Sequence, residues 1–213
     1  MIETERGYET ATLRGGLGHK MARYMHRVTG GHSWARYIWQ GTVLTLLSGL
    51  PTLLASELRA RAYRTVLGGI GQGCTIERDV RLMVPRRIFL GDGGGEVVIG
   101  PRSHVGHRCL MYGTRGIQIG RDVALASNVQ LICGNHTFAR RDVPIRAQPV
   151  EGAPIVIEDE VRVGASAIVL GGTTLGKGSV IAPGSVVTRS LPPDSLARGI
   201  PARVVGIREE SPP

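Results

Sequence analysis

From Ile157 onward an aliphatic residue returns at every sixth position: Ile157, Val163, Val169, Leu175, Ile181 and Val187. Four residues after each of the first five comes a small or β-branched residue, namely Val161, Ala167, Thr173, Ser179 and Ser185. The same spacing runs earlier, from Ile70 to Ile76 and through Ile99, Val105 and Met111. It slips by two residues, continues at Ile119, Leu125 and Leu131, then stops. An irregular insert from Pro85 to Glu96 separates the first of these runs from the second. Self-similarity at a short fixed period is the mark of a solenoid. Each unit supplies one short strand and one turn. The aliphatic residue fills the interior, the small residue fits the corner, and a following Gly, as at Gly100, Gly106, Gly120, Gly164 and Gly176, permits the turn's backbone angles. Three units close a triangular coil, and coils stack at the strand spacing of ~4.8 Å. The expected fold is mainly β, a parallel β-helix of about five triangular coils over residues 69–207.

Composition agrees with thin stacked layers: aromatics are 4% of the chain, whereas glycines number 31. The net charge of +9 is carried by arginine, since Lys20 and Lys177 are the only lysines. Such a charge suits nucleic acid, an anionic membrane or an anionic cofactor. The arginines are scattered and not interleaved with aromatics, so nucleic acid is not expected as a partner. Cys74, Cys109 and Cys133 lack metal-ligand spacing and fall inside repeat units, as small buried residues in a reducing compartment would. The polar start MIETERGYET does not read as a signal peptide, and a cytoplasmic protein is expected.

Before the repeat, residues 1–32 have no sustained period and read as loosely ordered, and residues 33–68 read as helical. No charge occurs between Arg36 and Glu57, yet Gln40, Gly41, Gly49 and Pro51 interrupt the apolar run. Spanning a bilayer needs roughly 20 mostly apolar residues, so a helix pair broken near Gly49-Leu50-Pro51 fits better. After Pro51, Leu54, Leu58, Ala62 and Val66 recur every four residues and predict an amphipathic helix. Two readings fit residues 34–55, a peripheral contact at the inner face of the membrane and a cap on the open end of the solenoid. Residues 208–213 form a short tail.

The stretch VRVGASAIVLGGTTLGKGSVIAPGSVVTRSLPPDSLARGIPARVVG, with its Gly-x-Pro-Ala-Arg ending at Gly199 to Arg203, resembles the hexapeptide-repeat acyltransferases. The resemblance covers roughly residues 52–207. It is nearest to the sugar O-acetyltransferases of the maltose, galactoside and nodulation type and to acetyltransferases of exopolysaccharide biosynthesis. It implies a left-handed β-helix, a homotrimer with active sites between subunits, acetyl-CoA as co-substrate, and no metal.

The repeat breaks between Leu131 and Gly152, and the last residues before the extruded loop of about 137–153 are Asn135-His136. His136 matches the family's catalytic histidine. A neutral imidazole can take the proton of a sugar hydroxyl as that oxygen attacks a thioester. The resulting oxyanion needs fixed N–H donors, for which the amides near Gly164-Ala165 are candidates. Glu151 is a candidate to orient the imidazole through its other nitrogen, or else a surface carboxylate, and Asn135 either lines the pocket or caps the turn. By the same match, Ala165, Gly172, Ala182 and Pro183 are expected along the pantetheine arm of CoA, with Thr188, Arg189 and Arg203 at its nucleotide end. Arg162 stands where the family often has Trp, and meets a phosphate or forgoes the contact. The acceptor-holding asparagine of the smaller sugar acetyltransferases falls on Gly106, with His104 and His107 as nearby substitutes or as plain turn histidines.

The reading reached from sequence is therefore acetyl-CoA-dependent O-acetylation of a sugar, glycan or glycolipid intermediate. The alternative within the fold is N-acetylation of an antibiotic or amino sugar. Two further classes are a γ-type carbonic anhydrase, whose three-histidine zinc site is not matched by the spacing of His104, His107 and His136, and a non-enzymatic scaffold.

Overall fold

The computed structural model describes residues 53–64, 67, 69–83, 95–113 and 115–209, together with Thr42 and Leu46. The expected loose segment 1–32, the membrane or capping role of residues 34–55 and the terminal tail thus lie wholly or largely outside the described residues.

The repeats fold as stacked triangular coils, each turning through faces here called A, B and C. The first coil has β1 (Gly69–Ile70), β2 (Thr75–Ile76) and β3 (Arg81–Met83), the second β4 (Gly95–Ile99), β5 (His104–Val105) and β6 (Leu110–Tyr112). The third has β7 (Arg115–Ile119), β8 (Ala124–Leu125) and β9 (Gln130–Ile132). A hairpin of β10 (Gly134–His136) and β11 (Val150–Gly152) then leaves the stack. The fourth coil is β12 (Ile155–Ile157), β13 (Arg162–Val163) and β14 (Ile168–Leu170), the fifth β15 (Thr174–Leu175), β16 (Val180–Ile181) and β17 (Val186–Val187). Finally β18 (Ser195–Gly199) extends face B, and β19 (Ala202–Ile207) folds back along it antiparallel. Glu96 lies in β4, so the irregular insert ends before it.

Register makes the period visible as columns. Ile76, Val105, Leu125, Val163, Ile181 and Ala197 stack on face B, and Met111, Leu131, Val169 and Val187 on face C. All of them are at most 2% exposed. The small residues of the pattern are buried at the corners, where the Thr173, Ser179 and Ser195 hydroxyls donate to the carbonyl three residues back, at 2.6 to 2.7 Å. These bonds satisfy polar groups that would otherwise be costly to bury. The coils approach so closely that a Cβ at Gly164 would stand 2.5 Å from the Pro183 nitrogen of the next coil.

Helix α1 (Leu53–Tyr63) covers the open end of the first coil, but not with the expected stripe. Leu58 is 51% exposed, whereas Ser56, Arg59, Ala60 and Tyr63 are buried. Arg59 Nε donates to the Ile76 carbonyl at 2.8 Å, and the Tyr63 hydroxyl donates to the Val80 carbonyl. The inward face of α1 carries the groups that end the coil's own polar edge, and a count of apolar residues overlooks them. Among the described residues, no helix is long and apolar enough to cross a membrane.

Candidate active site

The extruded loop springs from the corner between faces C and A, directly after β9. β10 and β11 pair antiparallel, with Gly134 opposite Gly152, Asn135 opposite Glu151 and His136 opposite Val150. From sequence this whole stretch reads as loop, because its six residues of strand carry no alternation of apolar and polar side chains. The close pairing is reserved for glycine at its base: a Cβ at Gly152 would lie 1.9 Å from the Cys133 carbonyl oxygen.

His136 is half-buried at the end of β10. Its Nδ1 lies 2.8 Å from the backbone carbonyl of Gln148. A carbonyl can only accept, so Nδ1 carries the hydrogen and, in the neutral ring, Nε2 keeps its lone pair. That is the protonation state of a general base. The orienting place proposed for Glu151 is thus taken by a main-chain oxygen, and the exposed Glu151 stands opposite Asn135 in the hairpin. The Asn135 side chain accepts the His136 N–H at 2.9 Å and so caps its own turn.

Two residues that sequence reasoning missed hold this hairpin. Gln148 is 5% exposed and bonds across the loop through its amide. Arg115, at the start of β7, donates from Nη2 to the Val150 carbonyl at 3.1 Å. A lone Gln or Arg in a basic stretch carries no signal in the sequence, since each acts through backbone groups.

The remaining site residues separate into groups. Ala165, Ala182 and Pro183 share the B–C corner of successive coils, where the Gly184 N–H bonds the Ala165 carbonyl at 2.9 Å. Gly172, with φ of +81°, lies under the root of the extruded loop, where its N–H bonds the Pro154 carbonyl. Exposed Thr188 and Arg189 follow at the same C–A corner one coil on. Exposed Arg162 lies on face B between Ala124 and Val180, and Arg203 lies on β19 opposite Arg198. Of the two candidate oxyanion amides, Gly164 N–H is committed to the Ile181 carbonyl, which leaves Ala165 N–H.

The structure does not bring His104 and His107 to His136 within one chain. His104 lies on face B, with Nδ1 2.7 Å from the Thr75 hydroxyl. His107 lies at the B–C corner against the Arg78 carbonyl. Nor can an asparagine replace Gly106, whose Cβ would stand 2.7 Å from the Ala126 carbonyl carbon. Among the described residues no three His, Cys, Asp or Glu converge as a metal site would require.

Two family models match the coils: the bacterial transferase hexapeptide (six repeats) over residues 154–189, and the hexapeptide repeat of succinyl-transferase over residues 96–133. A protein of Schizosaccharomyces pombe named as an acetyltransferase is 40% identical over 115 residues, 54% of each chain. One of Saccharomyces cerevisiae is 35% identical over 55% of this chain and 59% of its own. The chain thus spans a little over half the length of these two curated relatives. The Escherichia coli protein named as colanic acid biosynthesis acetyltransferase WcaF is 29% identical over 85% of this chain and 92% of its own. Among solved structures, a maltose O-acetyltransferase from Clostridium difficile superposes with a TM-score of 0.69 at 26% identity, over 83% of this chain and 88% of that one. A hexapeptide-repeat acetyltransferase from Vibrio cholerae, complexed with acetyl coenzyme A, gives 0.68 at 22%, over 87% and 98%. With its coils, its corner residues and both repeat models in agreement, the chain carries the hexapeptide repeat over residues 96–133 and 154–189 and folds as the left-handed parallel β-helix of the solved acetyltransferases it resembles.

Proposed function

We propose that the protein transfers an acetyl group from acetyl-CoA to a hydroxyl of a sugar, glycan or glycolipid, with His136 as general base. The observation that carries this reading is the 2.8 Å contact of Nδ1 with the Gln148 carbonyl, which leaves Nε2 as a free base at the foot of the loop. Nε2 takes the acceptor's proton while its oxygen attacks the thioester carbonyl. The tetrahedral oxyanion is met by main-chain N–H groups, with Ala165 as this chain's donor. Collapse breaks the C–S bond, and the imidazolium returns its proton to the departing thiolate. Neither a serine nor a cysteine nucleophile is needed. The names of the matched relatives, acetyltransferases of maltose and of colanic acid biosynthesis among them, support the same chemistry.

The site is read as one shared between subunits. His136 and Gly172 stand at the C–A corner, while Ala165, Ala182 and Pro183 stand at the B–C corner, across the width of face C. A ring of identical chains, joined head to tail, would set one corner against the other. Face C suits such contact, because its outward residues are mostly apolar and half-buried in one chain, Leu110, Tyr112, Ile132, Ile168, Leu170 and Val186 among them. The polar exceptions are Gln130, between Leu110 and Ile168, and Arg81 at the first coil. Phe138 and Ile145 on the loop are 77% and 59% exposed and offer further apolar surface.

The test is mass spectrometry of products from acetyl-CoA with a panel of sugars, nucleotide sugars and lipid-linked oligosaccharides. An acetyl ester, cleaved by hydroxylamine, is expected. An amide product would move the chemistry to amino-sugar N-acetylation, a reading that a fold neighbour from Bacillus cereus named as an N-acyltransferase keeps in view. Full transfer activity in His136→Ala would overturn the mechanism.

A further inference from the structure

Within the extruded loop, Gln148 is the buried polar side chain, and it uses every group its amide has. Nε2 donates to the Arg140 carbonyl at 2.7 Å and to the Val143 carbonyl at 2.9 Å. Oε1 accepts the Arg140 N–H at 3.2 Å and faces the Thr137 hydroxyl at 3.5 Å. Through its side chain this residue therefore joins the outgoing limb of the loop to its turn. Through its backbone it accepts the Nδ1–H of His136 at 2.8 Å.

The peptide is held from the coil side as well. Arg115 grips the Val150 carbonyl, and Val150 is the residue paired with His136 across the hairpin. A short 3₁₀ turn, Ile145–Ala147, delivers Gln148 between the two holds, with the Gln148 N–H bonded to the Ile145 carbonyl at 3.0 Å. Burying an amide in an exposed loop is tolerated only when its donors and acceptors are met. Here they are met chiefly by backbone, with the Thr137 hydroxyl as the one side-chain neighbour at 3.5 Å, so the network depends mainly on loop conformation.

We infer that Gln148 is a positioning residue for the reaction: its buried amide fixes the peptide whose carbonyl sets the tautomer of His136. The base is then competent only while the loop is closed on Gln148. Whatever orders the loop, acceptor or neighbouring subunit, sets the base at the same time. This inference rests on His136 being the base.

The test compares Gln148→Met, which keeps length but removes both donors and the acceptor, with Gln148→Glu and His136→Ala. Acceptor turnover is read with whichever sugar the panel selects, and acetyl-CoA hydrolysis with none. Gln148→Met is expected to lower kcat by about 10²-fold, as misplacement of a base by an ångström does, with the KM for acetyl-CoA within about twofold of the parent. In Gln148→Glu the ionised carboxyl has no donor, and its protonated form regains one. The ratio of variant to parent rate should therefore rise as pH falls through the introduced carboxyl's titration, displaced upward from ~4.3 by burial. Recovery at low pH ties the loss to the missing donor, and the tautomer of His136 separates a loss of base orientation from a loss of loop stability alone.

A second readout needs no substrate. Histidine-labelled protein, observed by nitrogen-15 NMR about two pH units above the ordinary histidine pKa of ~6.5, reports the neutral tautomer directly. His136→Ala identifies the signal. The parent should show Nδ1–H, and Gln148→Met should lose it in favour of a mixture of tautomers. Unchanged tautomer and unchanged kcat in Gln148→Met would overturn the inference while leaving the base intact. Full activity in His136→Ala would instead remove the base assignment on which it rests.

Discussion

Single atoms decide the corners of this molecule. At Gly152 the position of an added Cβ is 1.9 Å from the Cys133 carbonyl oxygen and 2.6 Å from the Gly134 Cα, both main chain. Neither can rotate away, so Gly152→Ala must push β11 off β10 and carry the partner of His136 with it. The expected outcome is loss of about 10²-fold in kcat, with thermal unfolding of the coils close to the parent's, checked by steady-state rates and calorimetry. The thiols give a second residue-scale prediction. Cys109 is 1% exposed and donates to the Ala126 carbonyl, and burial pushes its pKa up to about 11. A thiol with a raised pKa stays neutral in the folded chain, so its contribution to stability is present below the unfolded value of ~8.5 and is lost as pH rises toward the folded one. With Cys74 and Cys133 equally enclosed, all three should resist an aromatic disulfide reagent at about pH 8 and react together on unfolding. Fast labelling of Cys109 in the folded protein would contradict its burial.

Elements differ in how far they announce themselves in the sequence. Faces A, B and C were legible because one residue in six must be aliphatic to fill a triangular interior, and Val163, Ile181 and Val187 obey that rule through hydrophobic burial alone. The hairpin of β10 and β11 was not legible, since its order comes from Gln148, Arg115 and main-chain partners that leave no periodic trace. For the candidate site the same division holds: His136 is singled out by the end of the repeat and by its match to the family's histidine, whereas the carbonyl beside its Nδ1 has no residue identity to read. Helix α1 was half legible. Its existence followed from four-residue spacing, but the buried side is set by the ends of the coil it covers, and there Arg59 and Tyr63 meet open carbonyls that leucine cannot. Tyr63 is fully buried, so Tyr63→Ala should cost about 3–5 kcal/mol, as deletion of a buried ring does. Denaturant unfolding should show that loss, and hydrogen exchange should place the loosening in the first coil and not in the fifth.

For the molecule as a whole, the decisive question is whether one chain can hold a complete site. The proposed base lies on the C–A corner with Gly172, while Ala165, Ala182 and Pro183 of the proposed pantetheine track lie on the B–C corner, so a site drawing on both needs two copies. In a head-to-tail trimer each interface would take His136 from one subunit and Ala165 from the next. Two inactive variants would then complement each other. His136→Ala keeps an intact B–C corner, and Ala165→Trp blocks that corner while keeping its own His136. If the two are mixed, dissociated and reassembled at equal amounts, half the subunits offering the histidine side are native there, and half of their neighbours are native at Ala165. About one site in four should recover, because the two choices are independent around a closed ring. Activity near a quarter of the parent's, against near zero for either variant alone, would support a shared site. If Ile168→Arg, which places a charge beside the outward apolar residues Leu170 and Val186 of face C, yields monomers in sedimentation without activity, the same conclusion follows from the opposite direction. No recovery on mixing, with reassembly verified by mass, would mean that each chain works with its own two corners and that the trimeric reading of the site is wrong.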